Sequence, residues 1–308
     1  MNISKKTLIA LAGCALASAS VSMAPAQAQE LNGWNYAIDS FDDGSGPGGT
    51  RGTDSPYEFY GLAIRETADR VYVGINSNLG LGGEYHRPAA DDYIHYGDLF
   101  FNFTGESLAN AQGQSNFFGI KFDEGNDSDV GVGVYSNVTT KNVTATNHGW
   151  STLAAHDNWA NNGGTASMGH LSNSTQVNGD YYFQQGSRDI STSIRSGTFV
   201  GGIEMLDGGS LAALGLNFQS VDAAVPDDNH TFGFSFARDL MVDGDYVAHI
   251  LAECINDGLA ITGSLPRIEV PEDPTNSADV PEPALATGLV LMGGLGLLKK
   301  GRKEMAEA

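Results

Sequence analysis

The chain has 308 residues, with 37 acidic against 16 basic side chains and a formal net charge of −21 at pH 7. A surface this acidic repels the phosphate backbone, so nucleic acid is excluded as a natural partner. The 40 glycines are well above the usual share of about 7% and indicate a chain that turns often.

The first 28 residues have the organisation of a secretory signal peptide. Lys5 and Lys6 form a basic start, an apolar stretch covers 8–21, and Ala26-Gln27-Ala28 matches an A-x-A cleavage site. We predict cleavage after Ala28 and export of the remainder.

The two cysteines bear on processing rather than on a disulfide framework. Cys14 follows Leu11-Ala12-Gly13, which fits a lipobox and leaves lipoprotein processing open as an alternative. Once the signal is removed only Cys254 remains, so no intrachain disulfide can form. Cys254 ends a strand-like run, and we predict that its thiol is buried.

Short strands are predicted through the first half of the body, because apolar residues alternate with polar ones. In the strand 97–104, this alternation puts Phe100 and Phe101 on opposite faces. The turns 67–69 and 123–129 are short enough to join two pairs of strands into hairpins. The strands predicted here are 34–40, 57–66, 70–76, 97–104, 117–122 and 130–135, with an extended continuation over 137–146.

The second half is predicted to contain more strands and little helix. A short helix is expected over 153–159 and a helical turn over 206–214. The strands predicted here are 181–183, 198–205, 214–218, 231–236 and 246–255. Because no long amphipathic helix separates the strands, an α/β architecture is disfavoured. We therefore predict an all-β protein with a single β-sandwich or jelly-roll-like domain over 29–265, followed by a linker over 266–279.

The last part of the chain has three features in a fixed order. Val280, Pro281, Glu282 and Pro283 form an extended segment, because proline fixes φ and lacks an N–H. The uncharged run 284–298 is a predicted transmembrane helix of about 22 Å, short against a hydrocarbon core of about 30 Å. A basic cluster then precedes the predicted cytoplasmic tail 304–308, and its members are Lys299, Lys300, Arg302 and Lys303.

This order resembles the PEP-CTERM sorting signal of bacterial surface proteins, over 280–303. The resemblance implies processing near Pro281 to Pro283 by an exosortase, a membrane-embedded transpeptidase-like protease. It also implies an inner-membrane intermediate that is later released to the cell surface or the extracellular space. Much of 32–263 is also similar to a family of exosortase-dependent surface proteins common in cyanobacteria, on the segments 60–69, 96–103, 197–203 and 253–257. That family has no assigned activity.

Two acidic loops are candidate cation sites. The loop 123–129 carries five oxygen-bearing side chains, which are Asp123, Glu124, Asn126, Asp127 and Asp129. Ca²⁺ binds six to eight hard oxygens, and turn carbonyls add to those of side chains. The loop lacks the glycine and the distal glutamate of an EF-hand, and a solvated turn is the alternative. The loop 39–46 offers Asp39, Asp42 and Asp43 beside Gly44 in the same way.

Catalytic motifs are absent from the sequence, since it contains neither H-E-x-x-H nor G-x-S-x-G. We therefore predict a non-enzymatic protein of the cell surface or the exopolysaccharide matrix. One alternative is a Ca²⁺-assisted, lectin-like carbohydrate-binding module, in which Trp150 and Trp159 stack on a sugar from loop segments. A second alternative is a secreted hydrolase with paired carboxylates.

Overall fold

The computed structural model describes residues 29–160, 179–184, 186–188, 190–226 and 230–266. The predicted signal peptide, the linker beyond Pro266, the sorting signal 280–303 and the tail 304–308 lie outside the described residues. Within the described part, no helix has the length and apolar character needed to span a membrane.

Fourteen strands occur in the described part of the chain. They are β1 (Gln29–Leu31), β2 (Trp34–Ile38), β3 (Phe59–Glu66), β4 (Arg70–Ser77), β5 (Glu84–Tyr85), β6 (Tyr93–Ile94), β7 (Leu99–Asn102), β8 (Phe117–Lys121), β9 (Gly133–Lys141), β10 (Ser193–Gly201), β11 (Glu204–Asp207), β12 (His230–Ala237), β13 (Gly244–Leu251) and β14 (Gly258–Leu265). The α-helices are α1 (Leu108–Ala111), α2 (Leu153–Ala160), α3 (Gly179–Tyr182) and α4 (Gly208–Ala213). Single 3-10 turns cover Pro47–Gly49, Gly52–Asp54, Phe218–Ser220 and Arg238–Leu240.

The strands form two six-stranded antiparallel sheets and a separate two-stranded ribbon of β5 and β6. The first sheet has the order β1-β2-β3-β4-β12-β11, and the second has the order β10-β9-β8-β7-β13-β14. Each sheet is therefore a meander of four consecutive strands, extended at one side by a later pair. The chain builds the first meander, then the second, and returns once to each sheet.

The two sheets pack face to face around aromatic side chains. Phe101 of β7 meets Phe236 of β12 edge-on, with 6.4 Å between ring centroids. Phe122, directly after β8, stacks on Phe234 of β12 at 5.1 Å. All four rings are buried. This common core confirms the predicted all-β fold in its β-sandwich form.

The outer faces of both sheets are also covered by apolar side chains. Phe100 lies on the outer face of the second sheet, opposite Phe101, as the strand alternation predicts. There it packs with residues of α1, α2 and α3. On the first sheet, Leu211 of α4, Leu216 and Phe218 pack on Tyr36 and Tyr60. Strands covered on both sides read as nearly continuous apolar runs, as β3 does.

Both predicted hairpins are observed. The pair 57–66 and 70–76 corresponds to β3 and β4, and the pair 117–122 and 130–135 corresponds to β8 and β9. The short helix predicted over 153–159 is α2, and the helical turn predicted over 206–214 contains α4. Local patterns were sufficient here because the paired strands are neighbours in the sequence.

The jelly-roll connectivity suggested by the sequence is not observed. A jelly roll combines two Greek keys in eight strands, whereas four consecutive strands stay within one sheet here. A turn as short as 67–69 can join only strands that pair directly, and longer connections such as 39–58 and 103–116 also return the chain to the neighbouring strand of the same sheet.

Three predicted strands are wrong, and four observed strands were missed. Residues 181–183 belong to α3 and the turn after it, while 214–218 leads into a 3-10 turn on the outer face of the first sheet. Aromatic and aliphatic residues favour strands by propensity, but tertiary packing overrides that preference. The segment 198–205 divides at Gly201 and Gly202 into β10 and β11, which belong to different sheets.

The missed strands are the short β1, β5 and β6 and the eight-residue β14. The predicted strand 246–255 ends earlier than expected, at Leu251, and β14 follows it.

Candidate functional site

A cleft of about 670 Å³ lies among loops that leave the two sheets. The β2–β3 loop contributes a wall of small residues over 45–49, and the β13–β14 turn contributes Asn256. The long connection between β9 and β10 contributes Trp150 and Trp159. The volume lies within the range of about 300–1,000 Å³ that is typical of small-molecule sites.

The two tryptophans predicted from the sequence as sugar-stacking residues both line this cleft. Their ring centroids are 5.8 Å apart, and both side chains are half-buried. Trp150 Nε1 donates a hydrogen bond to Ser45 Oγ at 2.8 Å, which fixes the plane of the indole. Trp159 carries the Arg51 guanidinium over its ring, 4.1 Å from the centroid. The rings are therefore oriented by specific contacts rather than free to rotate.

Arg51 fastens the end of α2 to the β2–β3 loop. Its Nη2 donates to the carbonyl oxygens of Trp159 and Ala160, the latter at 3.0 Å. These carbonyls are at the C-terminal end of α2, where a cation is favourable for the unsatisfied groups of the last turn. The position of Trp159 in the cleft thus depends on Arg51.

Two imidazoles form another wall of the cleft. His86 Nε2 and His148 Nδ1 are 3.4 Å apart; His86 is half-buried and His148 is exposed to solvent. Burial and the neighbouring His148 lower the pKa of His86. A neutral imidazole can donate one hydrogen bond and accept another, which suits a hydroxyl-bearing ligand. The cleft thus combines aromatic faces with imidazole groups that can form hydrogen bonds.

Four carboxyl groups converge in the interior next to this cleft. One oxygen each from Asp39, Asp43 and Asp257 lies within 4.8 Å of the other two. The side chain of Glu58, at the start of β3, acts electrostatically on all three. All four residues are buried, with Glu58 at 0% exposure. Asp42, the third acid predicted in this loop, is exposed instead.

Backbone groups fix the orientation of these carboxylates. Asp257 accepts hydrogen bonds at 2.7 Å from the N–H groups of Phe59 and Gly258, which belong to different sheets. Glu58 Oε2 accepts from Gly44 N at 2.7 Å. A Cβ on Gly44 would lie 2.2 Å from Glu58 Oε2, so only glycine allows this approach. The carboxylates are thus held in place by the fold.

Burial and mutual repulsion disfavour the ionised forms of these acids. Burial raises the pKa of Asp39, Glu58 and Asp257 well above ordinary values, and the charge of Asp43 raises each of them further. Like charges this close in the interior favour protonation of the acids or the binding of a cation. Among the described residues, the carboxylates of Asp39, Asp43 and Asp257 form the group that could hold a metal ion.

The sequence analysis identified Asp39 and Asp43 but missed Glu58 and Asp257. Asp257 lies more than two hundred positions after Asp39 and Asp43 in the sequence, and only the packing of the sheets brings it close to them. Glu58 did carry a signal, since it stands between Tyr57 and Phe59 in an otherwise apolar run. An acid flanked by buried aromatic residues is itself expected to be buried, and buried acids need a partner.

The loop 123–129 directs its side chains to separate partners. Asp123 Oδ2 contacts His95 Nδ1 at 3.1 Å, Asn126 donates to Asp98 at 2.9 Å, Asp127 accepts from Asn147 at 2.8 Å, Asp129 pairs with Lys141 at 2.6 Å, and Glu124 is exposed. Among the described residues, the carboxylates that meet at one point are those of Asp39, Asp43 and Asp257. Ca²⁺ binding by the loop 123–129 stays a prediction.

Of the remaining predicted sites, Cys254 is buried and the others lie outside the described residues. Cys254 is a free thiol at 0% exposure, which confirms the predicted burial, and burial raises the pKa of that thiol. Cys14, the residues 280–283 and the basic cluster at 299–303 lie outside the described residues. Comparison with protein-family models, with curated proteins and with solved structures found no match to this chain.

Proposed function

We propose that this chain is an exported surface protein with a non-enzymatic role, in which the cleft binds exopolysaccharide. The observation that carries the binding role is the pairing of Trp150 and Trp159 on one cleft, next to the imidazoles of His86 and His148. Aromatic rings stack on the apolar faces of sugars, and the imidazoles offer hydrogen bonds to hydroxyls. The acidic net charge favours a neutral or cation-bridged polysaccharide over a polyanion.

The proposed sorting depends on the two ends of the sequence. The signal peptide 1–28 directs export, and the segment 284–298 holds the chain in the inner membrane with its basic cluster in the cytoplasm. An exosortase then cleaves near Pro281 to Pro283 and releases the body to the surface. The short apolar run supports a temporary anchor, because it is shorter than the hydrocarbon core.

Intact-mass analysis tests this sorting directly. Protein recovered from the envelope and the medium is expected to lack residues 1–28 and those after about 283. A chain that ends at Ala308 would contradict processing by an exosortase. A lipid mass on Cys14 would identify lipoprotein processing in place of the predicted cleavage after Ala28.

Retention on immobilised exopolysaccharide tests the binding role. Trp150→Ala is expected to weaken retention of the full-length chain about five- to tenfold, because one stacking contact contributes about 1–1.4 kcal/mol. The matched control is Phe199→Ala, which removes an aromatic side chain that is 58% exposed and outside the cleft.

The two variants separate the cleft from general surface stickiness. The control is expected to bind like the unmodified chain, and circular dichroism melts identify any variant that has lost its fold. Equal retention of the unmodified chain and Trp150→Ala would remove the cleft from the proposal. Failure of the unmodified chain to bind any polysaccharide would contradict the binding role.

A further inference from the structure

The carboxyl cluster next to the cleft brings four buried acids close enough for their charges to act on one another. Asp39, Asp43, Glu58 and Asp257 all lie in the interior. The charge of Arg51 does act on Glu58. However, Arg51 Nη2 is already bonded to two backbone carbonyls, and the guanidinium lies over Trp159.

Glu58 provides an observation that does not depend on the clustering itself. Its Oε1 atom is buried and has no hydrogen-bond partner among the described residues, while Oε2 is bonded to Gly44 N. A buried carboxylate oxygen without a donor is costly, and native structures seldom leave one unexplained. The bond to Gly44 N, at 2.7 Å, places the Glu58 carboxylate against the backbone next to Asp43. An ion at that point would satisfy this oxygen.

The distances within the cluster suit a single hard cation. Ca²⁺ binds oxygens at about 2.3–2.6 Å, so two ligands on opposite sides of one ion are about 5 Å apart. One oxygen each from Asp39, Asp43 and Asp257 falls within 4.8 Å of the others, which is compatible with a shared ion. An all-oxygen donor set favours Ca²⁺, Mg²⁺ or Mn²⁺ over Zn²⁺ or copper.

Ca²⁺ is the best match within that group. Mg²⁺ keeps several water molecules and is usually held by one or two carboxylates. This cluster is enclosed and offers four, which leaves little room for a hydrated ion. Ca²⁺ accepts irregular geometry and gives up its water more readily, so it suits a buried site of this kind.

We propose that Asp39, Asp43, Glu58 and Asp257 bind one Ca²⁺ ion that fastens the two sheets together. Asp39 and Asp43 belong to the loop after β2, and Glu58 precedes β3 of the first sheet. Asp257 precedes β14 of the second sheet. The ion therefore joins the β2–β3 loop to the β13–β14 turn. Ser45 and Asn256 of the same two segments line the cleft, so the ion also supports one wall of it.

Calcium content and thermal unfolding of the full-length chain test the proposal. After dialysis against calcium and then against metal-free buffer, elemental analysis is expected to give about one Ca²⁺ per chain. Calcium added in large excess is expected to raise Tm by about 5–10 °C relative to a chelator-treated sample, because ligand binding stabilises the folded state of a domain of this size by mass action. Chains that retain no calcium and show no change in Tm would overturn the proposal, and the cluster would then be protonated.

Glu58→Gln distinguishes a bound ion from a general effect on folding. Glutamine keeps an acceptor for Gly44 N and removes one negative charge. In chelator this variant is expected to be at least as stable as the unmodified chain. In calcium it is expected to melt lower, and its affinity for Ca²⁺ is expected to fall about tenfold or more because a charged ligand is lost. If Glu58→Gln lowered Tm equally in chelator and in calcium, a role of Glu58 in binding Ca²⁺ would be contradicted.

Three further variants keep the test decisive. Asp257→Asn is the second variant if Glu58→Gln fails to fold. It is likewise expected to be at least as stable as the unmodified chain in chelator and to melt lower in calcium. Asp98→Asn is the matched control, because Asp98 is a buried carboxyl bonded to Asn126, and it should keep the calcium response. Asp127→Asn tests the loop 123–129. Loss of the response in that variant alone would move the ion to the loop and overturn the proposal.

Discussion

Replacing Arg238 by alanine is expected to lower the free energy of unfolding by about 3–5 kcal/mol, the usual loss when one partner of a buried charged network is removed. Arg238 follows β12 and is 5% exposed. Its Nε donates to Glu66 at the end of β3, and its Nη2 donates to Asp243 at 2.7 Å. Urea denaturation of the full-length chain, analysed by linear extrapolation, measures the loss.

The size of the expected loss follows from the backbone groups that Arg238 also serves. Nη1 donates to Met241 O at 3.0 Å, and Nη2 donates to Leu265 O at 3.3 Å, at the end of β14. One guanidinium therefore joins the ends of strands from both sheets. Alanine would leave these acceptors and the Glu66 carboxylate without their donor. Arg238→Lys is expected to recover only part of the loss, because an ammonium group cannot reproduce the planar fork.

Arg70→Ala is the matched control for this prediction. Arg70 pairs with Glu204 at 3.0 Å, but the two side chains are 33% and 67% exposed. Arg70 Nε also donates to the buried Ser235 Oγ at 3.0 Å. Because an exposed ion pair contributes only about 0–1 kcal/mol, this variant should lose less stability than Arg238→Ala. Equal losses for Arg70→Ala and Arg238→Ala would show that burial is not what makes the Arg238 network important.

The sequence was sufficient for the sandwich because the hairpins are local. In β3 and β4 the strand residues and the turn that joins them lie within twenty positions, so alternation and turn length determine the pairing. The pairing of β4 with β12 and of β7 with β13 joins segments more than a hundred positions apart. Nothing in a local pattern specifies which distant strand extends a meander, so the sheet order could not be predicted.

The same distinction explains which site residues were found. Trp150 and Trp159 were identified because aromatic rings in loop-like segments can stack on a sugar, and both line the cleft, although Trp159 lies in α2. The acidic loop 39–46 was identified for its composition, and two of its three acids enter the buried cluster. Glu58 and Asp257 were missed because burial, rather than composition, makes them notable. Buried acids are identified by the groups packed around them, which a local pattern does not contain.

Raising the pH from about 5 to about 8 is expected to destabilise the domain, and Glu253→Gln is expected to reduce that dependence. Burial raises the pKa of Glu253 from an ordinary value of 4.5 to about 8. Between these two values the folded state binds more protons than the unfolded state, so stability falls as pH rises and levels off above about 8. Between pH 5 and pH 8 the free energy of unfolding is expected to fall by on the order of 4 kcal/mol, at about 1.4 kcal/mol per pH unit.

His95 acts in the same direction and is expected to leave a residual slope in the Glu253→Gln variant. Burial lowers the pKa of His95, but its hydrogen bond to Asp123 and the charge of that residue outweigh burial, so the pKa is raised overall. The contribution of His95 to stability is present below its pKa in the unfolded chain, about 6.5, and is lost as the pH rises through its pKa in the folded chain. His95 N also donates to Glu253 Oε2 at 3.3 Å, so the two groups form one network.

Urea denaturation at several pH values measures these slopes. Glu253→Gln is expected to be less stable than the unmodified chain at pH 5, because one amide oxygen must replace two acceptors for the N–H groups of His95 and Asp127. Its stability should then change less between pH 5 and 8. Glu124→Gln, an exposed change in the neighbouring loop, should leave the slope unaltered. If all three chains show the same slope, the pH dependence originates outside Glu253, and the carboxyl group of that residue is ionised across this range.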